Sequence, residues 1–331
     1  KTDVSVMVGQ YNSYYKGDNN VTISQTIPFP TVFVAKSRLT QSQGKGASLA
    51  LEVSRNEITF EIRQLYNQSA YWNSYKALLL KEDSLLFRIA KATDLNFRTG
   101  EGSLLQKTTA ETRLNEVRNK QKLADAELHG IARKLQFFLG VDYPVRFENA
   151  ELHVIATIPV TDTAKLKANP QAQYLEQQVV IAENERKLEK NTVLPDLKVG
   201  YFNQTLYGTQ LAANSTQLAG RTDRFQGFQV GLTIPLWFGP ELHKSKAAAI
   251  NREVKNAEYE HYVVGLQSEY EKTLQMLQSN RSLLEYYSGA ALPNAELIET
   301  QSVKSFELGE INFTTHLLNI QQTIAIREGY L

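Results

Sequence analysis

The chain has 331 residues, enough for about two ordinary domains, and its 36 basic and 35 acidic side chains balance to a net charge of +1. That balance excludes an electrostatic case for nucleic acid or an acidic ligand. The absence of cysteine excludes a disulfide frame, a thiolate metal site and a cysteine nucleophile, and no apolar run approaches the roughly 18 to 20 residues of a membrane-spanning helix.

The chain opens directly on strand-forming sequence with no signal peptide, as expected of a processed, truncated or fused product. Val4, Val6 and Val8 begin a strand that runs into the aromatic, polar "YNSYY" (11–15). "KGDNN" (16–20) carries hairpin-turn chemistry. Val21, Ile23 and Ile27 alternate along the return strand, broken by Gln25, and Pro28 ends it where a missing N–H does least harm. The hairpin spans 3–29. A helix is predicted over 32–95, free of proline and with glycine only at 44 and 46. Ile58, Ile62, Leu65, Trp72, Leu79 and Leu86 fall on steps of 4, 3, 7, 7 and 7, a narrow coiled-coil seam rather than a broad globular face. A turn follows at 97–103, then a helix at 104–139. There Ala110, Leu114, Val117, Gln121, Ala124, Leu128, Ile131, Leu135 and Phe138 keep the 4, 3 spacing throughout.

Residues 141–195 form a connecting region: an irregular stretch, then a helix entered at Asn169-Pro170 and ended by Pro195. Strands are predicted at 196–207 and 225–236. In the second, Phe228, Val230, Leu232, Ile234 and Leu236 alternate with Gln229, Gly231 and Thr233, one apolar and one small or polar face. Helices follow at 241–292 and 294–308, the break assigned to Gly289 and Pro293, with a looser stripe of Val263, Leu266, Tyr270, Leu274, Leu277 and Leu284. A turn at 307–313 and a helix at 314–331 close the chain.

The order strand, loop, strand, proline, long helix, glycine turn, helix therefore occurs twice, at 1–140 and 196–331. "SQTIPFP" and "GLTIPLWFG" place Pro28 on Pro235 at an offset of 207, and "FRTGEG" and "FELGEI" place Gly100 on Gly309 at an offset of 209. Asp3-Val4 pairs with Asp196-Leu197 at an offset of 193, the extra residues falling near 208–224. Four amphipathic strands cannot close a barrel alone, and unpaired edges are intolerable in a bilayer. Several chains pooling their strands can close one.

This ordered set resembles the TolC-type outer-membrane efflux channel family across nearly the whole chain. "LPDLKVGYFNQ" (194–204) is similar to the family's entry into a barrel strand, and the two Thr-Ile-Pro segments to its strand-to-helix passage. "FRTGEGSLLQKTTAET" and "ALPNAELIETQSVKSFELGEINFTTHLLNIQQT" resemble its two helical turns. "SQTIPFPTVFVAKSRL" and "GEGSLLQKTTAET" look closest to the heavy-metal efflux branch, in some members of which the channel is fused to a resistance-nodulation-division pump. The resemblance implies mixed α and transmembrane β structure: a homotrimer with a 12-stranded barrel, continued by an α-helical coiled-coil tunnel in the periplasm of a Gram-negative bacterium. It implies a periplasmic adaptor, an inner-membrane pump and outer-membrane lipid as partners, a passive duct for small solutes or metal cations, and no cofactor. On the repeat plan the sequence begins after a first helical part.

The resemblance assigns the glycine turns to adaptor docking: Arg98, Thr99, Gly100, Glu101 and Ser103 in the first, Leu308, Gly309 and Glu310 in the second. Gly100 and Gly309 suit the left-handed residue that stops a helix. Ser103 can cap the next helix, as can either Asn312 or Thr314. Many relatives carry two acidic residues three apart after the second turn. Here those positions are Thr315 and Leu318, which leaves Thr315 with Glu101, Glu307 and Glu310 as gate candidates; residues placed as Glu101 and Glu310 are more often solvated first-turn charges. Val21, Ile23, Ile27, Phe228, Val230, Leu232, Ile234 and Leu236 are expected to face lipid. Phe29, Phe33, Trp237 and Phe238 are expected to form an interface belt, or ordinary core. No enzyme is expected. The histidines 129, 153, 243, 261 and 316 are never within four residues of one another, so no local metal pair exists. "GEGSLL" puts Leu105 where a dinucleotide fingerprint needs its third glycine, and no phosphate loop or nucleophile elbow occurs.

Two alternatives of other classes are a soluble coiled-coil scaffold with a small capping sheet, and a pore-forming protein. The scaffold would turn the Phe228 to Leu236 face into a protein core. The pore-forming protein would begin as a soluble monomer.

Overall fold

The computed structural model describes residues 2–8, 15–145, 163–208, 211, 217–234 and 239–331. The expected positions Leu236, Trp237 and Phe238, most of "YNSYY", and the irregular stretch 146–162 lie outside the described residues. Four strands form one antiparallel sheet in the order β1 (Thr2–Val8), β2 (Asn19–Ile27), β3 (Asp196–Gln204) and β4 (Phe225–Thr233). Six α-helices accompany it: α1 (Pro30–Thr99), α2 (Leu104–Leu139), α3 (Pro170–Asn191), α4 (Gly239–Tyr286), α5 (Leu292–Glu307) and α6 (Phe313–Tyr330). Each hairpin feeds a long helix, α1 after β1–β2 and α4 after β3–β4.

The sheet register gathers most of the apolar side chains on one face, with Gln25, Asn203 and Gln226 among them, while Met7 and Phe202 stand on the other. Val4, Ile23, Tyr201 and Phe228 stand opposite one another across all four strands. Val199 faces Val230, and Ile27, Leu197 and Leu232 make a third row. Because alternate residues point to opposite faces, these rows share one face. The other face carries Asp3, Ser24, Gly200 and Gln229 in one row and Thr26, Lys198 and Gly231 in the next. No apolar residue of the four strands is buried among the described residues. Phe228, Val230 and Leu232 are 82%, 74% and 68% exposed, which means the helices of this chain do not cover that face.

The chain divides into two compact units, each built from two separate stretches of sequence. One contains 1–53 and 163–265: the sheet, the starts of α1 and α4, and α3. Asn169 caps α3, its side chain accepting from the amides of Gln171 and Ala172, with Pro170 in the first turn where no amide partner is lost. The buried Gln177 donates to the Ser42 carbonyl of α1 at 2.9 Å, and Tyr262 of α4 reaches Asn169 at 3.3 Å. A Cβ on Gly46 would sit 2.9 Å from Ile181, so glycine lets α1 and α3 approach closely.

The other unit contains 54–162 and 266–331. Its core joins α1, α2 and α6 through Leu79, Leu86, Ala90, Ala110, Leu114, Val117, Ala124, Phe313 and Leu317. A second cluster pairs Leu65 with Ile131 and Leu135. The seam is not wholly apolar: Gln121 donates from its amide to the Leu79 carbonyl at 3.1 Å. In α4 no side chain is buried, and all six stripe residues from Val263 to Leu284 are half-buried.

The break assigned to Gly289 and Pro293 is corrected by the backbone. The helix does not stop; it passes through a π turn over Tyr287–Ala291, and the Leu292 amide donates to the Tyr287 carbonyl five residues back. A proline removes one helical donor and crowds the carbonyl four residues earlier. The wider π turn absorbs both effects without ending the helix.

Candidate functional site

The two glycine turns share the backbone hydrogen bonds of their helix stops. In the first, the Gly100 amide donates to Phe97 and the Glu101 amide to Asn96, at 3.2 and 2.9 Å. In the second, Gly309 donates to Phe306 and Glu310 to Ser305, at 3.1 and 2.8 Å. The glycines have φ of +79° and +75°. A left-handed residue with these paired 5→2 and 6→1 bonds is the Schellman helix stop. Gly140, at φ +64°, ends α2 in the same way without leading into a hairpin. The stop alone is therefore general helix chemistry, and what distinguishes the pair is the helix that follows at once.

Each following helix is capped. The Ser103 hydroxyl accepts from the Gln106 amide while the Gln106 side chain accepts from the Ser103 amide, a complete capping box. In the second turn the cap is Asn312, accepting from the Thr315 amide at 2.9 Å; Thr314 is not the cap. Beyond the cap, the two turns differ at the residue after the glutamate. A Cβ on Gly102 would lie 3.2 Å from the Asn96 carbonyl carbon and the Phe97 nitrogen, so backbone packs on backbone there. The second copy has Ile311, and its amide stands 3.4 Å from the helix carbonyl where Gly102 reaches 2.9 Å.

The turns are brought to one cavity of about 510 Å³, lined by Glu101 and Gln106 from the first turn region and by Phe306, Glu307, Phe313 and His316 from the second. Of the gate candidates, Glu101 and Glu307 line it. Glu310 instead accepts from the Ser305 hydroxyl at 2.7 Å, and the Thr315 hydroxyl donates to Asn312. Arg98 pairs with Asp94 at 2.8 Å on a separate surface, and Thr99 donates back to its own helix. Lys107 also reaches Asp94, at 2.7 Å, and its hydrogen bond, helped by Arg98, holds that carboxyl below the usual range. Leu308 is exposed beside Gly309. Phe29 and Phe33, just beyond β2, are both exposed.

The wall of the cavity holds a polar group that sequence reasoning passed over. His316 is buried and stacked on Phe306, ring centroids 4.7 Å apart and planes 6° from parallel. Its Nδ1 lies 2.9 Å from the Ser302 hydroxyl, which also accepts from Asn319 at 3.2 Å. Burial pushes the imidazole pKa down, partly offset by Ser302. The helical spacing of His316 and Asn319 was the available signal; Ser302 joins them only through the fold of the α5–α6 hairpin. Among the described residues no group of three or more metal-ligating side chains is assembled.

Solved structures with the same arrangement of sheet, helices and turns are found. The outer-membrane channel OprN superposes on all of this chain and 76% of its own with a TM-score of 0.81 at 13% identity. The Campylobacter jejuni CmeC outer membrane channel matches 100% of this chain and 72% of its own, with a TM-score of 0.80 at 13% identity. CusC, a protein that forms a transmembrane channel, matches 99% and 77%, with a TM-score of 0.77 at 13% identity. This chain has the TolC-type outer-membrane channel fold. No protein-family model and no curated protein matches the sequence.

Proposed function

We propose that this protein is the outer-membrane channel of a tripartite efflux system, a passive duct from periplasm to exterior. The observation that carries this reading is the uncovered apolar face of the sheet. Three copies would pool four strands each into a 12-stranded barrel, pairing the free edges of β1 and β4 and turning Val21, Ile23, Ile27, Phe228, Val230, Leu232, Ile234 and Leu236 to lipid. The row of Asp3, Ser24, Gly200 and Gln229 would face the water-filled lumen. Phe29 and Phe33, with Trp237 and Phe238, would ring the barrel at the membrane interface. The half-buried stripe of α4 would complete its packing against a neighbouring copy in a periplasmic tunnel.

In this reading 1–140 and 196–331 are two copies of one plan, and the turns at Gly100 and Gly309 dock a periplasmic adaptor that connects to an inner-membrane pump. Glu101 and Glu307, at a shared cavity, are better placed to act together at a gate than Glu310 or Thr315. The cargo would be small solutes or metal cations; the likeness of the 24–39 and 100–112 segments to the heavy-metal branch favours cations. A soluble scaffold would need the strand face in a core, and the strands bury no apolar residue.

The test is the protein mass of the detergent-extracted particle by light scattering. Three copies of a 37.4 kDa chain, insoluble without detergent, are expected. A detergent-independent monomer would overturn the channel.

A further inference from the structure

A carboxyl group occupies a core position of the α1 seam. Glu82 stands between Leu79 and Leu86, two of the most deeply buried residues of the chain, and is itself 2% exposed. Among the described residues, neither of its carboxyl oxygens meets a hydrogen-bond donor. A buried charge without a partner is among the costliest arrangements in a protein interior, and the neutral acid is far cheaper.

The charged and titratable groups that act electrostatically on or with Glu82 come from three helices. On α1 itself is Tyr75, on α2 Lys120, and on α6 Arg327 and Glu328. All four of these already have partners other than Glu82. Lys120 pairs with Glu328 at 2.6 Å, and Arg327 pairs with Glu299 of α5. The Tyr75 hydroxyl also donates to Glu328, at 3.0 Å. The Glu328 carboxylate is therefore served by a cation and a phenol, while Glu82 has neither. Ionising Glu82 would add a second negative charge near that of Glu328, where the two cations, Lys120 and Arg327, are already paired with other carboxylates.

We propose that Glu82 is a protonation-controlled latch, which as the neutral acid docks the C-terminal half of α6 on α1 and α2 and as the carboxylate loosens it. Burial, then Glu328, raise the Glu82 pKa from 4.5 to about 7, against the smaller opposing pull of Lys120 and Arg327. By proton linkage the docked state holds the proton more tightly than the loosened one, so docking is fully favoured below about pH 4.5 and that advantage is lost as pH rises from there to about 7. The latch does not depend on the channel reading, since it acts within one chain whatever assembly that chain enters.

Hydrogen exchange of α6, followed by mass spectrometry on the full chain from pH 5 to 8.5 and corrected for intrinsic exchange rates, tests it. With one linked proton, opening of residues 317–330 is expected to rise by about tenfold per pH unit up to about 7 and then level off. Glu82→Gln, an isosteric stand-in for the neutral acid, is expected to keep α6 protected at every pH. Lys120→Gln is expected to move the inflection to higher pH, because the cation that eases ionisation is gone. Loosening that persists in Glu82→Gln, a wild type with no pH dependence in α6, or an inflection unmoved by Lys120→Gln would overturn the proposal.

Discussion

Gly100 and Gly309 hold a backbone conformation that costs an L side chain about 1 to 2 kcal/mol. Their replacement by alanine is expected to lower stability by about that amount, although a Cβ at either site would touch nothing within 4 Å. Gly44 is the matched control. It lies inside α1 with equally open space, so Gly44→Ala is expected to stabilise by roughly 0.5 to 1 kcal/mol. Melting of the three purified variants reads both signs. Equal effects at all three positions would mean that backbone conformation does not govern the turns. The role of these glycines as helix stops was legible in "FRTGEG" and "FELGEI", because a Schellman stop is decided within six residues of chain. The choice of Asn312 over Thr314 as cap was not, since either residue type can cap and one residue of backbone geometry separates them.

Among the elements, the α5–α6 hairpin carries its own pH response. His316 is buried against Phe306 and held neutral, with its pKa pushed below 6.5 by desolvation. A depressed base binds fewer protons folded than unfolded. Its stabilisation is therefore complete above pH 6.5 and is lost as pH falls toward the lowered folded value. Because Glu82 acts in the opposite direction, the informative quantity is the difference between wild type and His316→Gln. Wild type is expected to lose melting temperature relative to the variant as pH drops from 7.5 to 5. A constant difference would exclude His316 as the source. The α1 and α2 seams could be read from spacing, since buried residues must recur every three or four positions whatever they pack against. Glu82 was missed for the same reason: the seam was followed through apolar residues in steps of seven, and the intervening core position holds a carboxyl.

For the whole molecule the decisive feature is the sorting of the sheet into two faces. Val230 faces Val199 on the apolar side, and Gln229 faces Gly200 on the other. If the apolar face meets lipid, Val230→Arg is expected to cost about 2 to 4 kcal/mol near the bilayer midplane. Gln229→Arg would point into the lumen at little cost. The amount of assembled particle recovered from outer membranes separates the two: strong loss for Val230→Arg and near-normal recovery for Gln229→Arg. Equal recovery of both would mean that neither face meets lipid.

Periodicity is what the sequence determined by itself. Alternation along β2 and β4, the 4, 3 spacing of α2 and the two glycine turns are local properties, set by backbone torsions and by which side of an element a residue occupies. They were enough to lay out four strands feeding long helices, and the resemblance of the ordered motifs implied the TolC-type fold. The tertiary structure decided which distant residues meet. It brought Glu101 and Glu307 to one cavity from turns about two hundred residues apart, joined Ser302 to His316, carried the helix through Pro293 on a π turn, and enclosed Glu82 beside Glu328. No period encodes those meetings, because they depend on how helices cross and how deeply a side chain is buried, and burial is a property of the packed molecule rather than of any one segment.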